Sequence, residues 1–270
     1  MGRSFVYIRH TVLNRKNKPC LVLVFAGRVV DSCQSLIFPM NISVLDRFLK
    51  YVSVGSQSDA DSATVPSTPG QTELARLLAG ELKDMGAQAE LDDDSGIVYA
   101  SIPSNVEGNV PVIGWVAHVD TAPGVSGSGV KPRIVRSYDG GDILLNPEQG
   151  MVLSPAVFPE LTDYLGQDLV VTDGTTLLGA DDKAGVAEIM DMAASFLLNP
   201  ERPHGEIRIA FTPDEEIGRG TDAFDVARFG ADFAYTVDGG ALGEIEYENF
   251  NAASAVVTVQ GLSLIHISEP

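Results

Sequence analysis

The chain has 270 residues, of which 44% are hydrophobic and 20% are charged, so it is long enough for one large or two modest globular domains. Its 37 acidic residues outnumber its 18 basic residues, and the formal net charge is −19. A surface this acidic excludes nucleic acid and anionic membranes as expected partners, because both bind a basic face. Both cysteines, Cys20 and Cys33, lie near the start, and a body without disulfides or thiolate ligands is typical of a cytoplasmic protein.

Residues 1–39 differ from the sequence that follows them. Their apolar run, "CLVLVFAG", is too short to span a bilayer. Met40 then begins "MNISVLDRFLKYVS", which combines a capping residue with helical spacing. We therefore predict that the folded protein starts at Met40 and that residues 1–39 are a doubtful N-terminal extension.

Three helices are predicted from apolar residues that recur at spacings of three and four. Their apolar faces are Leu45, Phe48, Leu49 and Val52 in the first helix, Leu74, Leu77, Leu78, Leu82 and Met85 in the second, and Val186, Ile189, Met190, Ala193 and Leu197 in the third. Gly86 closes the second helix. A polar loop, "GSQSDADSATVPSTPGQ", separates the first two helices.

Five apolar runs bounded by Gly, Pro and Asp predict buried strands. In chain order they are "GIVYASIP", "VPVIGWVAHVD", "DLVVTD", "GEIRIAFTP" and "DFAYTVDGG". Because strands and helices alternate, we predict an α/β fold in which a sheet is covered by helices on both faces.

Polar and acidic residues recur where predicted apolar runs end. The four junctions are His118-Val119-Asp120 after "GWVAH", Asp181-Asp182-Lys183 after "TTLLGA", Asp214-Glu215-Glu216 after "RIAFTP", and Asp238 after "FAYTV". Chemistry in open α/β sheets collects in the crevice at the carboxyl ends of the strands. We therefore expect these residues to share one site.

Each junction also has a simpler structural interpretation. A strand-end histidine can bond to a neighbouring acid, as His118 could with Asp120. Helix capping explains either Asp181 or Asp182 without any function. The three consecutive acids could form a charged turn, and Asp238 could be an ordinary turn residue.

Taken together, one imidazole and several carboxylates form a ligand set suited to Zn²⁺, Mn²⁺ or Co²⁺. His118 and Asp120 point the same way in an extended segment, so the carboxylate can orient the imidazole. The acids are too many for one tetrahedral zinc. A pair of metals about 3.5–4 Å apart would use them and cancel their repulsion.

The sequence resembles the peptidase T family, the tripeptide aminopeptidases of the two-zinc exopeptidase superfamily. The motifs that carry the resemblance are "HVDT" at 118, "LLGADDKAG" at 177, "FTPDEEIG" at 211, "AYTVDGG" at 234 and "YENFNAAS" at 247, within a similarity from about Met40 to Gly261. The resemblance implies a zinc-exopeptidase-like sheet, with residues 40–247 as the N-terminal part of the catalytic domain.

The resemblance also implies a role for each matching residue. His118 and Asp238 would bind the first zinc, Asp181 would bridge both zincs, and Glu216 would bind the second. Asp120 would orient His118.

Glu215 would be the general base for attack of a zinc-activated water on the first peptide bond of a tripeptide. Asp214 has no implied role, and we expect it to be solvated. In this family the bond after the bridging aspartate is usually cis, which implies a cis peptide between Asp181 and Asp182.

The chain departs from the family pattern in two respects. The family uses a further, downstream histidine for the second metal, and none of His10, His204 and His266 matches that ligand. The family also inserts a lid and dimerisation domain, of which residues 248–261 would be only the start. Residues 262–270, "LSLIHISEP", correspond to a translated sequencing adapter. We therefore expect the sheet to be incomplete and this chain to be inactive by itself.

Two alternatives remain at this point. The nearest is another two-zinc hydrolase of the same superfamily: a dipeptidase, a carboxypeptidase or an amino-acid deacylase. The other is a Mg²⁺-dependent phosphoacceptor domain, which an Asp-Asp pair can support but which gives His118 and Asp120 no role. The expected partners are small peptides, with a homodimer as one expectation for the whole protein.

Overall fold

A computed structural model describes residues 11–13, 19–21, 23–25, 42–239 and 245. The predicted start of the lid at 248–261 and the predicted tail at 262–270 lie outside these residues. Most of the predicted extension, 1–39, also lies outside them.

The described residues form four α-helices and twelve β-strands. The helices are α1 (Val44–Val52), α2 (Pro69–Met85), α3 (Ala180–Leu197) and α4 (Val226–Phe229). The strands are β1 (Thr11–Leu13), β2 (Pro19–Leu21), β3 (Leu23–Phe25), β4 (Gln88–Leu91), β5 (Val98–Ile102), β6 (Ile113–His118), β7 (Arg133–Val135), β8 (Ile143–Asn146), β9 (Met151–Leu153), β10 (Asp168–Val171), β11 (Ile207–Thr212) and β12 (Phe233–Thr236).

The central sheet has five strands in the order β12-β6-β11-β5-β4. Strand β6 is parallel to both of its neighbours, with Thr212 of β11 opposite His118 and Thr236 of β12 opposite Val116. Strands β5 and β4 complete the sheet in antiparallel pairs. The carboxyl ends of β12, β6 and β11 therefore meet at one edge, as the sequence predicts for the junction residues.

Helices α1, α2 and α3 pack together on one face of this sheet and form the main core. Phe48, Leu78, Met190 and Phe211 are fully buried there. Burying a side chain of this size contributes about 1.5–3 kcal/mol relative to leaving it exposed. The α/β fold class that the sequence predicts is confirmed in this layer.

Local signals explain where the helices begin and end. The Ser43 hydroxyl accepts the Asp46 N–H at 3.2 Å and caps α1. Pro69 occupies the first position of α2, and Gly86 ends it with a left-handed φ of 101°.

The buried side of α1 is wider than its apolar spacing predicts. Phe48 and Val52 are fully buried, but Arg47 and Tyr51 are buried as well. The Glu81 carboxylate of α2 accepts from the Arg47 guanidinium at 2.9 Å and from the Tyr51 hydroxyl at 2.6 Å. Arg47 can be buried in this position because its charge is paired.

The opposite face of the sheet carries a smaller apolar cluster. Tyr99 and Ala210 project from it and pack with Phe224 and Phe229, the last residue of α4. In the described part of the chain this one-turn helix is what covers that face, whereas the other face carries three long helices. Helices therefore lie on both faces, as predicted, but one face carries α1, α2 and α3 and the other carries α4.

Two strands differ from the predictions. The run "DLVVTD" forms β10, but β10 pairs with β7 and β3 outside the central sheet. Its Leu169 and Val171 join a second core cluster built on β8 and β9. Strand β12 was predicted to be buried, yet its residues are exposed because it lies at the sheet edge among the described residues.

None of the helices in the described part of the chain combines the length and apolar character that a membrane span requires.

Candidate metal centre

The junction residues come together at the carboxyl edge of the central sheet. His118 ends β6, and Asp120 follows two residues later. Asp181 and Asp182 lie in the first turn of α3 with non-helical backbone angles. Glu215 and Glu216 form a short 3-10 turn, Glu215–Ile217, just after β11. Asp238 follows β12.

His118 lies at the centre of this group and is buried. Its Nε2 is 3.0 Å from the Asp181 carboxylate, 3.8 Å from that of Glu215 and 4.0 Å from that of Asp238. Its Nδ1 lies 3.2 Å from the Asp120 carboxylate on the other side of the ring. One ring nitrogen therefore faces three acids, while the other is oriented by a fourth.

Asp120 also fixes the acidic turn. Its side chain is fully buried, and its two oxygens each accept a backbone N–H at 3.0 Å, one from Glu215 and one from Glu216. The same carboxylate thus orients the His118 imidazole and holds the 3-10 turn. Charge-assisted hydrogen bonds of this kind are stronger than neutral ones, so the histidine and the turn are held in a fixed relation.

Asp182 lies beneath the site and is fully buried. Its carboxylate accepts the backbone N–H of His118 at 3.1 Å and the backbone N–H of Gly185 at 3.2 Å. The second bond caps α3, as one of the simpler interpretations predicted for this pair of aspartates. Burial raises the pKa of this carboxyl well above its usual range, against the effect of His118.

The neighbouring Lys183 is also fully buried, and its ammonium donates to the Val54 carbonyl at 2.7 Å. Burial lowers its pKa to about 7, and the nearby Asp120 carboxylate opposes that shift. Lys183 belongs to one of the junctions predicted to share the site, but its burial and its contact with Val54 were not predicted.

The donor set fits a metal ion. Ligand atoms of His118, Asp181 and Glu216 lie within 4.8 Å of one another, and so do those of His118, Asp182 and Asp238. Because both Asp182 oxygens already accept backbone N–H groups, Asp238 is the better candidate from the second group. Several acids around one imidazole repel one another, and a divalent cation would remove that repulsion.

The proton affinities of the site reflect this crowding. Burial alone would lower the pKa of His118, but its hydrogen bonds with Asp120 and Asp181 raise that pKa well above its usual value. Burial raises the pKa of Asp238 to about 6, with His118 opposing and the Asp181 and Glu215 carboxylates adding to the rise. Metal binding by these groups should therefore depend on pH, because a metal ion competes with protons for the same atoms.

The second metal of the predicted pair lacks its histidine in the described residues. His204 precedes β11 and so lies at the end of that strand opposite the site. Its ring packs against Phe196 at 5.0 Å and contacts the Gly205 carbonyl. His10 and His266 lie outside the described residues.

Asp214 corrects one expectation from the sequence. It was expected to be solvated, yet it is 1% exposed. Its carboxylate accepts the Ser67 N–H at 2.8 Å, the Ser67 hydroxyl, and the Gln71 side-chain amide at 2.6 Å. Polar side chains rarely become this buried without such partners. Ser67 and Gln71 both belong to the segment that was predicted only as a polar loop, but α2 begins at Pro69, so Gln71 lies in the first turn of that helix.

The peptide bond between Asp181 and Asp182 is cis, as the resemblance implied. The chain is 59% identical over 222 residues to peptidase T of Geobacillus kaustophilus, covering 82% of this chain and 54% of that protein. It is 60% identical over 219 residues to peptidase T of Desulfitobacterium hafniense, covering 81% of this chain and 53% of that protein.

Over about four fifths of its length, the chain is similar to these peptidase T proteins. It spans about half the length of the curated relatives it matches. No protein-family model matches the sequence.

Solved structures agree with this similarity. Aminopeptidase PepT from Bacillus cereus is similar with a TM-score of 0.51 and 28% identity, over 73% of this chain and 43% of that one. A tripeptidase from Staphylococcus aureus has a TM-score of 0.51 at 24% identity, with the same coverage, and shows the fold alone. Together they confirm the partial exopeptidase-type fold that the peptidase T resemblance implied.

Proposed function

We propose that the protein to which this chain belongs is a cytoplasmic, metal-dependent aminopeptidase that releases the N-terminal residue of tripeptides. The observation that carries this proposal is the convergence of three acids, Asp181, Glu215 and Asp238, on the Nε2 side of His118, at the carboxyl edge of three parallel strands. The similarity to peptidase T supports the substrate class, because the resemblance is to a family of tripeptide aminopeptidases.

In this proposal His118, Asp181 and Asp238 hold one Zn²⁺, and Asp181 and Glu216 contribute to a second. Asp181 lies 3.0 Å from the His118 Nε2, and its ligand atom lies within 4.8 Å of that of Glu216, so it would be available to both ions. Bound zinc would supply a Lewis acid that polarises the peptide carbonyl. The second ion would require a histidine that the described residues do not provide.

Glu215 is the proposed general base. Its side chain is 51% exposed, whereas its backbone N–H is fixed by Asp120, so the carboxylate reaches solvent from a defined position. It can take a proton from the attacking water and return it to the leaving amine. Asp120 acts on the reaction only through His118 and the turn.

The domain division stays part of the proposal. Residues 40–247 would form the N-terminal part of the catalytic domain, and residues 248–261 would begin a lid that contributes to substrate binding and to a homodimer. Residues 262–270 would lie outside the functional unit, and residues 1–39 would be an extension to it, although β3 in that extension pairs with β10. We propose that the 270-residue chain hydrolyses no tripeptide by itself, because its described residues provide no histidine for the second metal.

Metal binding tests the proposal on the chain itself. Equilibrium dialysis against Zn²⁺ should show one site that is tighter than any other, and His118→Ala should abolish it. Asp84→Asn, a charge change at an exposed residue of α2, is the control. Equal zinc binding by the wild type and His118→Ala would refute the metal centre.

Hydrolysis tests the substrate class on the protein expressed from its genomic locus. A panel of tripeptides, dipeptides and N-acyl amino acids separates an aminopeptidase from a dipeptidase, carboxypeptidase or deacylase. We expect tripeptides to be cleaved at the first bond, with Glu215→Gln lowering kcat by about 10²–10⁴-fold. Preferred cleavage of an acyl amino acid would replace this proposal with a deacylase.

A further inference from the structure

The acidic turn that presents Glu215 and Glu216 is short and has unusual backbone angles at both ends. Asp214 before it and Gly218 after it both adopt left-handed conformations, with φ of 58° and 75°. A non-glycine residue in this region is uncommon and costs free energy unless its surroundings favour it. The position of both glutamates therefore depends on what holds Asp214.

Asp214 is held by residues at the start of α2. Gln71 contacts it twice, since its amide NH₂ donates to the carboxylate at 2.6 Å and its carbonyl oxygen accepts the Asp214 N–H at 2.9 Å. Ser67 contacts it with both its backbone N–H and its hydroxyl. Four hydrogen bonds thus join one buried residue to two partners.

A second connection runs between the same two segments. The Arg219 N–H donates to the Asp214 carbonyl at 2.9 Å. The Arg219 guanidinium donates to the carbonyls of Ser62 at 3.0 Å and Ala60 at 3.1 Å. The polar loop before α2 therefore contacts the acidic turn at both of its ends.

We infer that Asp214 is a positioning residue, which Ser67 and Gln71 hold so that the Glu215–Glu216 turn keeps its place beside His118. Asp120 accepts hydrogen bonds from the turn on the side of His118, and Asp214 connects the turn to Ser67 and Gln71 on the side of α2. Neither Ser67 nor Gln71 is among the proposed metal ligands, yet substitution of either residue should weaken metal binding. The expected effect on metal binding rests on the proposed metal centre. The claim that Asp214 fixes the position of the turn does not.

Hydrogen exchange measured by mass spectrometry tests the hold on the turn directly. In the full 270-residue chain, Asp214→Asn and Ser67→Ala should make amides of residues 214–218 exchange about tenfold faster or more, because buried hydrogen bonds are lost. Amides in β5 and α3 should keep their rates. Asp222→Asn, an exposed neighbour with the same charge change, is the control.

Zinc affinity, measured by competition with a chelator, tests the consequence. Both variants should bind about 10–100-fold more weakly, as is usual when a group that supports a metal ligand is removed. Exchanging the two functional groups, in the double variant Asp214→Asn with Gln71→Glu, restores one carboxylate and one amide and should recover part of the affinity. Because the exchange changes no proposed metal ligand, recovery of affinity would tie zinc binding to the contact between residues 214 and 71.

The outcomes separate the two claims. Unchanged exchange of the turn in both single variants overturns the inference, and so does faster exchange with unchanged zinc affinity. If Asp214→Asn raises exchange throughout the chain, the smaller change Ser67→Ala decides by the same criteria. If the wild type binds no zinc, the proposed metal centre fails, and the exchange of the turn alone decides whether Asp214 holds it.

Discussion

Asp120→Asn should uncouple His118 from the acidic turn. The wild-type carboxylate is fully buried and accepts from Glu215 and Glu216 at 3.0 Å each, with the His118 ring at 3.2 Å. An amide has only one oxygen. It can keep that oxygen toward Glu215 and His118, but then its NH₂ group faces the Glu216 N–H.

The magnitude follows from those contacts. A buried N–H left without an acceptor costs about 1–3 kcal/mol, and two charge-assisted bonds that become neutral lose about 1 kcal/mol each. We therefore expect the free energy of unfolding to fall by about 3–5 kcal/mol. Zinc affinity should fall by about 10–100-fold, because the orientation of the histidine and the turn is no longer fixed.

Urea unfolding in the presence of a chelator measures the stability change without metal, and chelator competition measures zinc affinity. Asp84→Asn removes the same charge from an exposed site and should leave both quantities unchanged. If Asp120→Asn unfolded at the same urea concentration as the wild type and bound zinc equally well, the role assigned to this carboxylate would be refuted.

Three further predictions concern stability. Glu81→Gln should lower the free energy of unfolding by about 3 kcal/mol in urea denaturation, since it leaves the buried Arg47 guanidinium without its counter-charge; an unchanged midpoint would contradict this. Burial raises the pKa of Glu188 from 4.5 to about 7, so the folded state favours the protonated acid. The destabilisation caused by ionising Glu188 should therefore be absent below pH 4.5 and grow to about 3 kcal/mol as the pH rises to about 7. Glu188→Gln should flatten that part of the plot of unfolding free energy against pH. Gly185→Ala should destabilise by about 1–3 kcal/mol, since its Cβ would lie 1.8 Å from a backbone carbonyl oxygen near Asp238, whereas Gly80→Ala, with no atom within 4 Å, should stabilise by about 0.5–1 kcal/mol; thermal melts with the opposite order would refute the packing argument.

The parts of the fold that could be predicted are those with a local cause. Gly86 ends α2 because a left-handed residue is needed there, and the apolar spacing of α3 placed Val186 and Met190 in the core. The junction residues were found because an apolar run that ends in acids marks the end of a strand. Parallel strands then bring such ends to one edge of a sheet.

The parts that could not be predicted depend on pairs that are distant along the chain. Arg47 is buried because Glu81 lies opposite it, and nothing in the spacing of α1 signals that partner. Strand β12 has an apolar sequence, but its burial depends on what lies beside the sheet edge. Strands β7, β8 and β9 are only three or four residues long, so their apolar alternation is too brief to be recognised.

The acidic turn shows how the structure changes an electrostatic argument. From the sequence, three adjacent carboxylates at a strand end demanded a cation to offset their repulsion. In the structure the three do not share one environment: Asp214 is buried among donors from Ser67 and Gln71, Glu215 reaches solvent, and Glu216 lies within ligand distance of His118. Neutral donors therefore stabilise the first acid and water stabilises the second. Among these three acids, only Glu216 still requires a metal to offset its charge, and Asp181 across the site has the same requirement. Removing the metal should therefore loosen the contacts of Glu216 while leaving Asp214 in place.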